Sequence, residues 1–187
     1  MEVKLIQHRR KSIVIEAPPG TGKSVVAKYY KNVLDLDPMK FKWIIGKTTR
    51  YDFELLKGAH QIGRKMNSNW PKNYYDEILS QLFHYDIVLI GFWLHIRKNK
   101  HEFEYFLKNN NIDYRIAIPS DDNVELILER LKIRGANDEF LNWLQIHYSS
   151  HFIDEFNKSG YPKIIVRYGE YLEDALIRER LLHKRTI

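Results

Sequence analysis

The sequence predicts an α/β protein: one domain over residues 1–187, built on a five-stranded parallel sheet with helices on both faces. Short apolar runs recur near 12–17, 32–36, 86–91, 112–118 and 163–168, each the length of a buried strand. Segments with helical spacing of apolar residues lie between or after them, near 23–31, 72–83, 97–109, 122–134, 137–157 and 170–184, which is the alternation of a parallel sheet. The first run also passes through a Gly/Pro loop straight into a helix.

Each element has a local reason. Ser12-Ile13-Val14-Ile15-Glu16 is rich in β-branched residues, which fit a pleated surface. The strand cannot continue through Ala17-Pro18-Pro19-Gly20-Thr21-Gly22, because proline lacks the ladder N–H. Val25-Val26-Ala27-Lys28-Tyr29-Tyr30 can open the helix that follows. Val33-Leu34-Asp35-Leu36-Asp37 forms a second strand, stopped by Pro38. Residues 38–70 show no sustained period and read as an acceptor or lid insertion, since long irregular insertions in compact domains are usually binding segments. Tyr85-Asp86-Ile87-Val88-Leu89-Ile90-Gly91 is continuous enough to be a central strand. Asp122 and Asn137 are candidate N-caps and Gly135 a stop between two helices, so 122–157 reads as a lid-like helical pair.

Composition narrows the class. With 44% hydrophobic and 29% charged residues over 187 positions, the chain can bury a substantial core. No apolar run approaches the ~20 residues that span a bilayer, and the start of the chain lacks a signal-type apolar region, so a cytoplasmic protein without membrane contact is expected. The absence of cysteine excludes disulfides and thiolate metal sites. A net charge of +6 suits a protein that handles anions. The one compact basic cluster, His8-Arg9-Arg10-Lys11, precedes the first strand and reads as a solvated edge, with a nucleic-acid contact the alternative.

The loop from Ala17 to Ser24 matches a Walker A phosphate loop in the strand–loop–helix context the motif needs. Small residues at Ala17, Gly20 and Gly22 let successive N–H groups curl around phosphate oxygens, and the helix start points its positive end at the same anion. Pro19, Gly20, Thr21, Gly22, Lys23, Ser24 and Val25 are therefore the expected ATP-binding residues. Lys23 is expected to reach the β- and γ-phosphates, and the Ser24 hydroxyl to hold Mg²⁺.

Motor ATPases carry an acidic residue at the C-terminal end of the strand beside the loop. Here that end reads Ile90-Gly91-Phe92-Trp93, and Asp86 stands at the opposite end, which argues against a helicase, motor or transporter ATPase. Asp35 and Asp37 alternate along the second strand, hence share a face at the edge where ligands bind in open α/β sheets. Asp35 is the candidate Mg²⁺ ligand and Asp37 the group that orients the acceptor hydroxyl or takes its proton; solvated turn aspartates before Pro38 are the alternative. Arg130 and Arg134, four apart on one helix face, can neutralise a migrating phosphoryl group, an effect that can be worth roughly 10³-fold or more in rate. A solvated face with Glu–Arg pairs is the other reading.

With these residues in place, the chain resembles small P-loop kinases of the adenylate-kinase and shikimate-kinase type. The resemblance rests on Ala17 to Ser24, the Asp35-Leu36-Asp37 step and the Arg130/Arg134 pair. Through Trp70-Pro71-Lys72-Asn73-Tyr74, and through Glu129-Arg130 with Arg134-Gly135-Ala136-Asn137 and Phe140, it is also similar to phage-encoded nucleotide-kinase-like proteins. It implies the P-loop NTPase three-layer fold and ATP-dependent phosphoryl transfer to a small acceptor, with Arg130 and Arg134 over the phosphates and the 38–70 insertion near the acceptor. Adenylate kinases have a Gly-Phe-Pro-Arg turn where this chain has Gly91-Phe92-Trp93-Leu94, which leaves Arg50, Arg64 and Arg97 as candidates for an acceptor phosphate.

Trp43, Tyr51, Trp70, Tyr74 and Tyr75 concentrate aromatic rings near the insertion, for packing or for stacking on a base. His147 and His151 have metal-compatible spacing but no third ligand. The leading expectation is a nucleoside or nucleotide kinase. A polynucleotide 5′-kinase or metabolite kinase is the enzymatic alternative, with nucleic acid the less favoured acceptor, and a polynucleotide kinase is expected to show an open, basic groove. A nucleotide-binding regulatory protein without transfer is the third reading. Oligomeric state is not legible in the sequence.

Overall fold

A computed structural model describes residues 11–44, 65–91, 100–150 and 158–183, without the side chains of His147, Ser149 and Ser150. The elements are β1 (Ile13–Ala17), α1 (Lys23–Tyr29), β2 (Val33–Leu36), α2 (Met39–Lys42), β3 (Trp43–Ile44), β4 (Lys65–Met66), α3 (Lys72–Gln81), β5 (Ile87–Gly91), α4 (Lys100–Asn109), β6 (Asp113–Pro119), α5 (Val124–Ile133), α6 (Asp138–Ser150), β7 (Lys163–Val166) and α7 (Leu172–Arg178). The five expected strands form one sheet in the order β2-β5-β1-β6-β7, and every pairing in it is parallel.

Side-chain alternation along β1 builds the three layers. Val14 faces Tyr74, Tyr75, Ile78, Phe103 and Phe106, the apolar stripes of α3 and α4. Ile13, Ile15 and Ala17 face Val26 of α1 and Leu172, Ala175 and Leu176 of α7. A smaller cluster joins Ile127 and Leu131 of α5 to Leu144 and Tyr148 of α6. Removing these side chains from water is the main term holding the layers together.

The ends of the expected insertion are ordered, in contrast to the irregular reading of 38–70: α2 leads into β3, which pairs antiparallel with β4 as Trp43↔Met66 and Ile44↔Lys65. A two-residue pairing across such a separation leaves no periodic signal in the sequence. Residues 45–64 lie outside the described residues. Asn137 caps α6 as expected, its Oδ1 accepting from the Phe140 N–H at 2.8 Å. Gly135 ends α5 at φ +86°, with Ala136 N–H donating to Leu131 O at 3.0 Å and Gly135 N–H to Lys132 O at 2.9 Å, the paired bonds of a left-handed helix stop. Asp122 is not the cap of α5. It lies inside a 3₁₀ turn, Asp121–Asn123, and the buried Asn123 side chain instead ties the turn to Val166 O at 3.2 Å.

Candidate active site

The phosphate loop leaves β1 at Ala17, which pairs with Gly91 of β5. Gly20 and Gly22 have φ of +84° and +102°, left-handed values that turn successive amides toward one concavity. The buried Thr21 hydroxyl donates to Pro18 O at 2.8 Å and closes the loop on itself. Gly22 O then accepts from Val25 and Val26 N–H at 3.0 and 3.1 Å and starts α1. The Lys23 ammonium folds back along the loop, donating to Ala17 O at 2.8 Å and Pro18 O at 3.0 Å. Burial pushes its pKa below the usual 10.5; Asp35, Asp37 and Glu16 oppose the shift and Arg134 adds to it. The charges of Asp35, Asp37 and Glu16 thus all act on the loop's cation.

β2 brings the two aspartates there. The Ser24 hydroxyl donates to Asp35 Oδ2 at 2.6 Å. Asp37 Oδ1 accepts from the Met39 N–H at 2.9 Å and so orders the start of α2. Beneath them the Tyr74 hydroxyl donates to Leu36 O at 2.7 Å. Burial first, then the charges of Asp37, Glu16 and Asp35, push the Tyr74 pKa well above 10.0, so this hydroxyl remains a donor. Asp86 lies at the base of β5, held by Asn32 Nδ2 at 2.8 Å, while the strand's other end finishes in buried Ile90 and Gly91. Asp86 is therefore at the wrong end of its strand to serve the loop.

The helical pair lies over the loop. Ile127 Cγ2 and Leu131 Cγ would stand 2.7 and 3.0 Å from a Cβ placed on Gly20, and the Tyr148 hydroxyl donates to Pro19 O at 3.4 Å. From the α7 side, Leu172 N–H donates to Thr21 O at 2.8 Å, and Tyr171 packs 3.3 Å from the corresponding point on Gly22.

The two arginines part company. Arg130 donates to Glu170 O at 3.1 Å and Gly169 O at 3.2 Å, with its guanidinium 3.8 Å from the centre of the Tyr171 ring. The turn before α7 therefore engages it beside the loop. Arg134 is exposed, and its charge reaches the Lys23 ammonium.

Glu16 was not anticipated as part of the site. It is fully buried on β1, accepts a hydrogen bond from the Tyr114 hydroxyl and acts on both Lys23 and Tyr74. An ionisable residue inside an apolar run next to a phosphate loop is the signal that could have found it. Tyr171 carried no such signal. Of the aromatic residues, Tyr74 packs against Phe41 and Trp70 at ring separations of 5.3 and 5.6 Å, and Tyr75 stacks on Phe106 at 4.6 Å. Trp43 is buried as well. Arg50, Tyr51, Arg64, Arg97, His151 and the His147 side chain lie outside the described residues.

The donor set fits Mg²⁺. A hydroxyl and a carboxylate 2.6 Å apart offer two hard oxygens, and this ion usually takes one or two protein ligands, completing its shell with phosphates and water. No helix among the described residues is long and apolar enough to cross a membrane.

No protein-family model matches the chain, and no curated protein sequence does. Solved structures do. A gluconokinase from Sinorhizobium meliloti 1021 is 13% identical, over 93% of this chain and 91% of its own, at a TM-score of 0.50. The tunicamycin resistance protein of Deinococcus radiodurans is 12% identical, over 91% of this chain and 96% of its own, at 0.51. At such identities the likeness is one of fold, and it extends over nearly the whole chain. The fold is the three-layer α/β architecture of P-loop kinases, a five-stranded parallel sheet flanked by helices.

Proposed function

We propose that this chain is an ATP-dependent phosphotransferase that moves the γ-phosphoryl group of Mg·ATP to an acceptor built on a nucleoside or nucleotide unit. The observation that carries the reading is the Ser24–Asp35 contact of 2.6 Å at the mouth of a Walker A loop, with Asp37 two residues further on. A motor would need a carboxylate at the end of β5. This site instead has Asp35 on β2 and Asp37 just past its end, beside Ser24 of the loop.

The residues take distinct roles. The loop amides and Lys23 hold the donor phosphates, Lys23 exchanging its contacts to Ala17 O and Pro18 O for phosphate oxygens. Ser24 and Asp35 hold Mg²⁺, which when bound neutralises charge on the phosphate oxygens. Asp37 orients the acceptor hydroxyl and takes its proton as the new O–P bond forms and the bond to the ADP oxygen breaks. Arg134 adds positive charge beside the migrating group. Arg130 secures the turn before α7, and α5 and α6 keep water from competing as acceptor. The fold likeness to a gluconokinase supports a kinase reading without identifying the acceptor.

The test is incubation with Mg·ATP and a panel of nucleosides, nucleoside monophosphates, shikimate-like metabolites and 5′-hydroxyl oligonucleotides, followed by product analysis. A phosphorylated product is expected, with kcat reduced about 10²- to 10⁴-fold in Asp37→Asn and KM for ATP little changed. ATP binding with no product from any acceptor would refute the assignment.

A further inference from the structure

We propose that the acceptor is the 5′-hydroxyl end of a single-stranded polynucleotide, whose phosphates run along a lysine-lined groove on the outer side of β2. The proposal rests on the phosphotransferase reading and names its substrate class.

β2 is the edge strand of the sheet. Between it and α1 lies a groove of about 570 Å³ whose lining includes Ser24, Lys28, Lys31, Asp35, Asp37 and Lys40. Ser24, Ala27 and Lys28 fall on one face of α1 by their three- and four-residue spacing, and Lys31 follows just past the helix end. The groove therefore begins at the site's Mg²⁺ and proton-accepting residues and continues down the length of α1. Seven helical residues correspond to roughly 10 Å.

Charge is sorted along this path. The acidic groups, Asp35 and Asp37, stand at the end where the reacting hydroxyl belongs, and Lys28 and Lys31 occupy the far part. Among the described residues no ion pair engages Lys28, Lys31 or Lys40. Lys28 is exposed, its ammonium 5.5 Å from the centre of the Tyr29 ring. A mononucleotide seated with its hydroxyl at Asp37 has a single phosphate, too short to meet cations spread over a helix length. Cations continuing a helix length further match a ligand with repeated phosphates, which a polynucleotide strand has and a nucleoside, a sugar or a mononucleotide lacks. In the reaction the 5′-oxygen bonds to the γ-phosphorus, the bond to the ADP oxygen breaks and the hydroxyl proton passes to Asp37.

The experiment uses the full chain, a 12-nucleotide 5′-hydroxyl strand labelled at its 3′ end, and fluorescence anisotropy across a KCl series, with transfer from Mg·ATP measured in parallel. The expected binding weakens with salt at a logarithmic slope of about −2, from roughly −0.7 per contacted phosphate on a single strand. In Lys28→Ala/Lys31→Ala the slope flattens by about 1.4 and KM for the strand rises about tenfold or more, while KM for ATP stays unchanged. Lys108→Ala, an exposed lysine on α4, leaves both unchanged. Transfer to a nucleoside monophosphate as efficient as to the strand, or a lysine pair variant indistinguishable from wild type, overturns the groove proposal while a kinase of small acceptors stands. Salt- and lysine-dependent strand binding without transfer to any acceptor supports the groove as a strand-binding site and overturns the phosphotransferase reading, and with it the strand's role as acceptor.

Discussion

Gly20→Ala probes the joint between the phosphate loop and the helices above it. Gly20 has φ +84°, and an added Cβ would meet Ile127 Cγ2 at 2.7 Å, Leu131 Cγ at 3.0 Å and Leu131 Cδ1 at 3.1 Å. Both neighbours are buried, at 0% and 7% exposure, so neither can swing into solvent. The left-handed backbone alone costs an alanine about 1–2 kcal/mol, and forcing packed side chains apart costs about 1–3 kcal/mol more. Gly135 supplies the control: its φ is +86°, but an added Cβ meets nothing within 4 Å. Gly135→Ala should therefore lose only the backbone part. In urea unfolding of the ligand-free protein, with a slope of about 2 kcal/mol/M, the midpoint of Gly20→Ala should lie about 1 M below that of Gly135→Ala. Equal midpoints at equal slopes would refute the close packing of α5 on the loop.

Two further predictions concern titration. The Lys23 pKa is depressed chiefly by burial, so its charge is lost as pH rises through a value below 10.5; ATP affinity should fall over that window in wild type and hold in Lys23→Arg, as read by calorimetric titration. At Glu170, burial pushes the carboxyl pKa up, but the Arg178 guanidinium and the Arg167 amide outweigh it and hold the value below 4.5. The contribution is then present above the unfolded pKa and lost as pH falls through the depressed folded one. Glu170→Gln should lower stability at pH 7 by about 1 kcal/mol or less, because solvent screens this partly exposed group, and the difference in urea midpoints should shrink as pH falls through the depressed folded pKa.

The parts legible in the sequence were those fixed locally. The five strands declare themselves because buried parallel strands are nearly continuous apolar runs, and the loop from Ala17 to Ser24 because its backbone demands particular residues. The alternation of Asp35 and Asp37 anticipated Asp35 in β2 and Asp37 at its C-terminal end. The partner each side chain chooses was not legible. Arg130 on α5 and Arg134 just past its end sit four apart, yet Arg130 is engaged by the carbonyls of Gly169 and Glu170 while the charge of Arg134 acts on Lys23. That division depends on where the turn before α7 docks, a contact made across about 40 residues of sequence. The β3–β4 pairing and the Glu16–Tyr114 hydrogen bond are likewise long-range, and neither has a periodic signature. The lysine groove was hidden for a related reason: Lys28, Lys31 and Lys40 are ordinary surface residues until the sheet order leaves β2 at its edge.

Transfer of labelled γ-phosphate from Mg·ATP to the acceptor panel, in wild type and in Lys23→Ala, tests the central claim most directly. The account predicts a labelled acceptor with wild type and a loss of at least about 10²-fold in rate with Lys23→Ala, since the role proposed for Lys23 is that of the cation at the donor phosphates. Full ATP-dependent transfer by Lys23→Ala would contradict it.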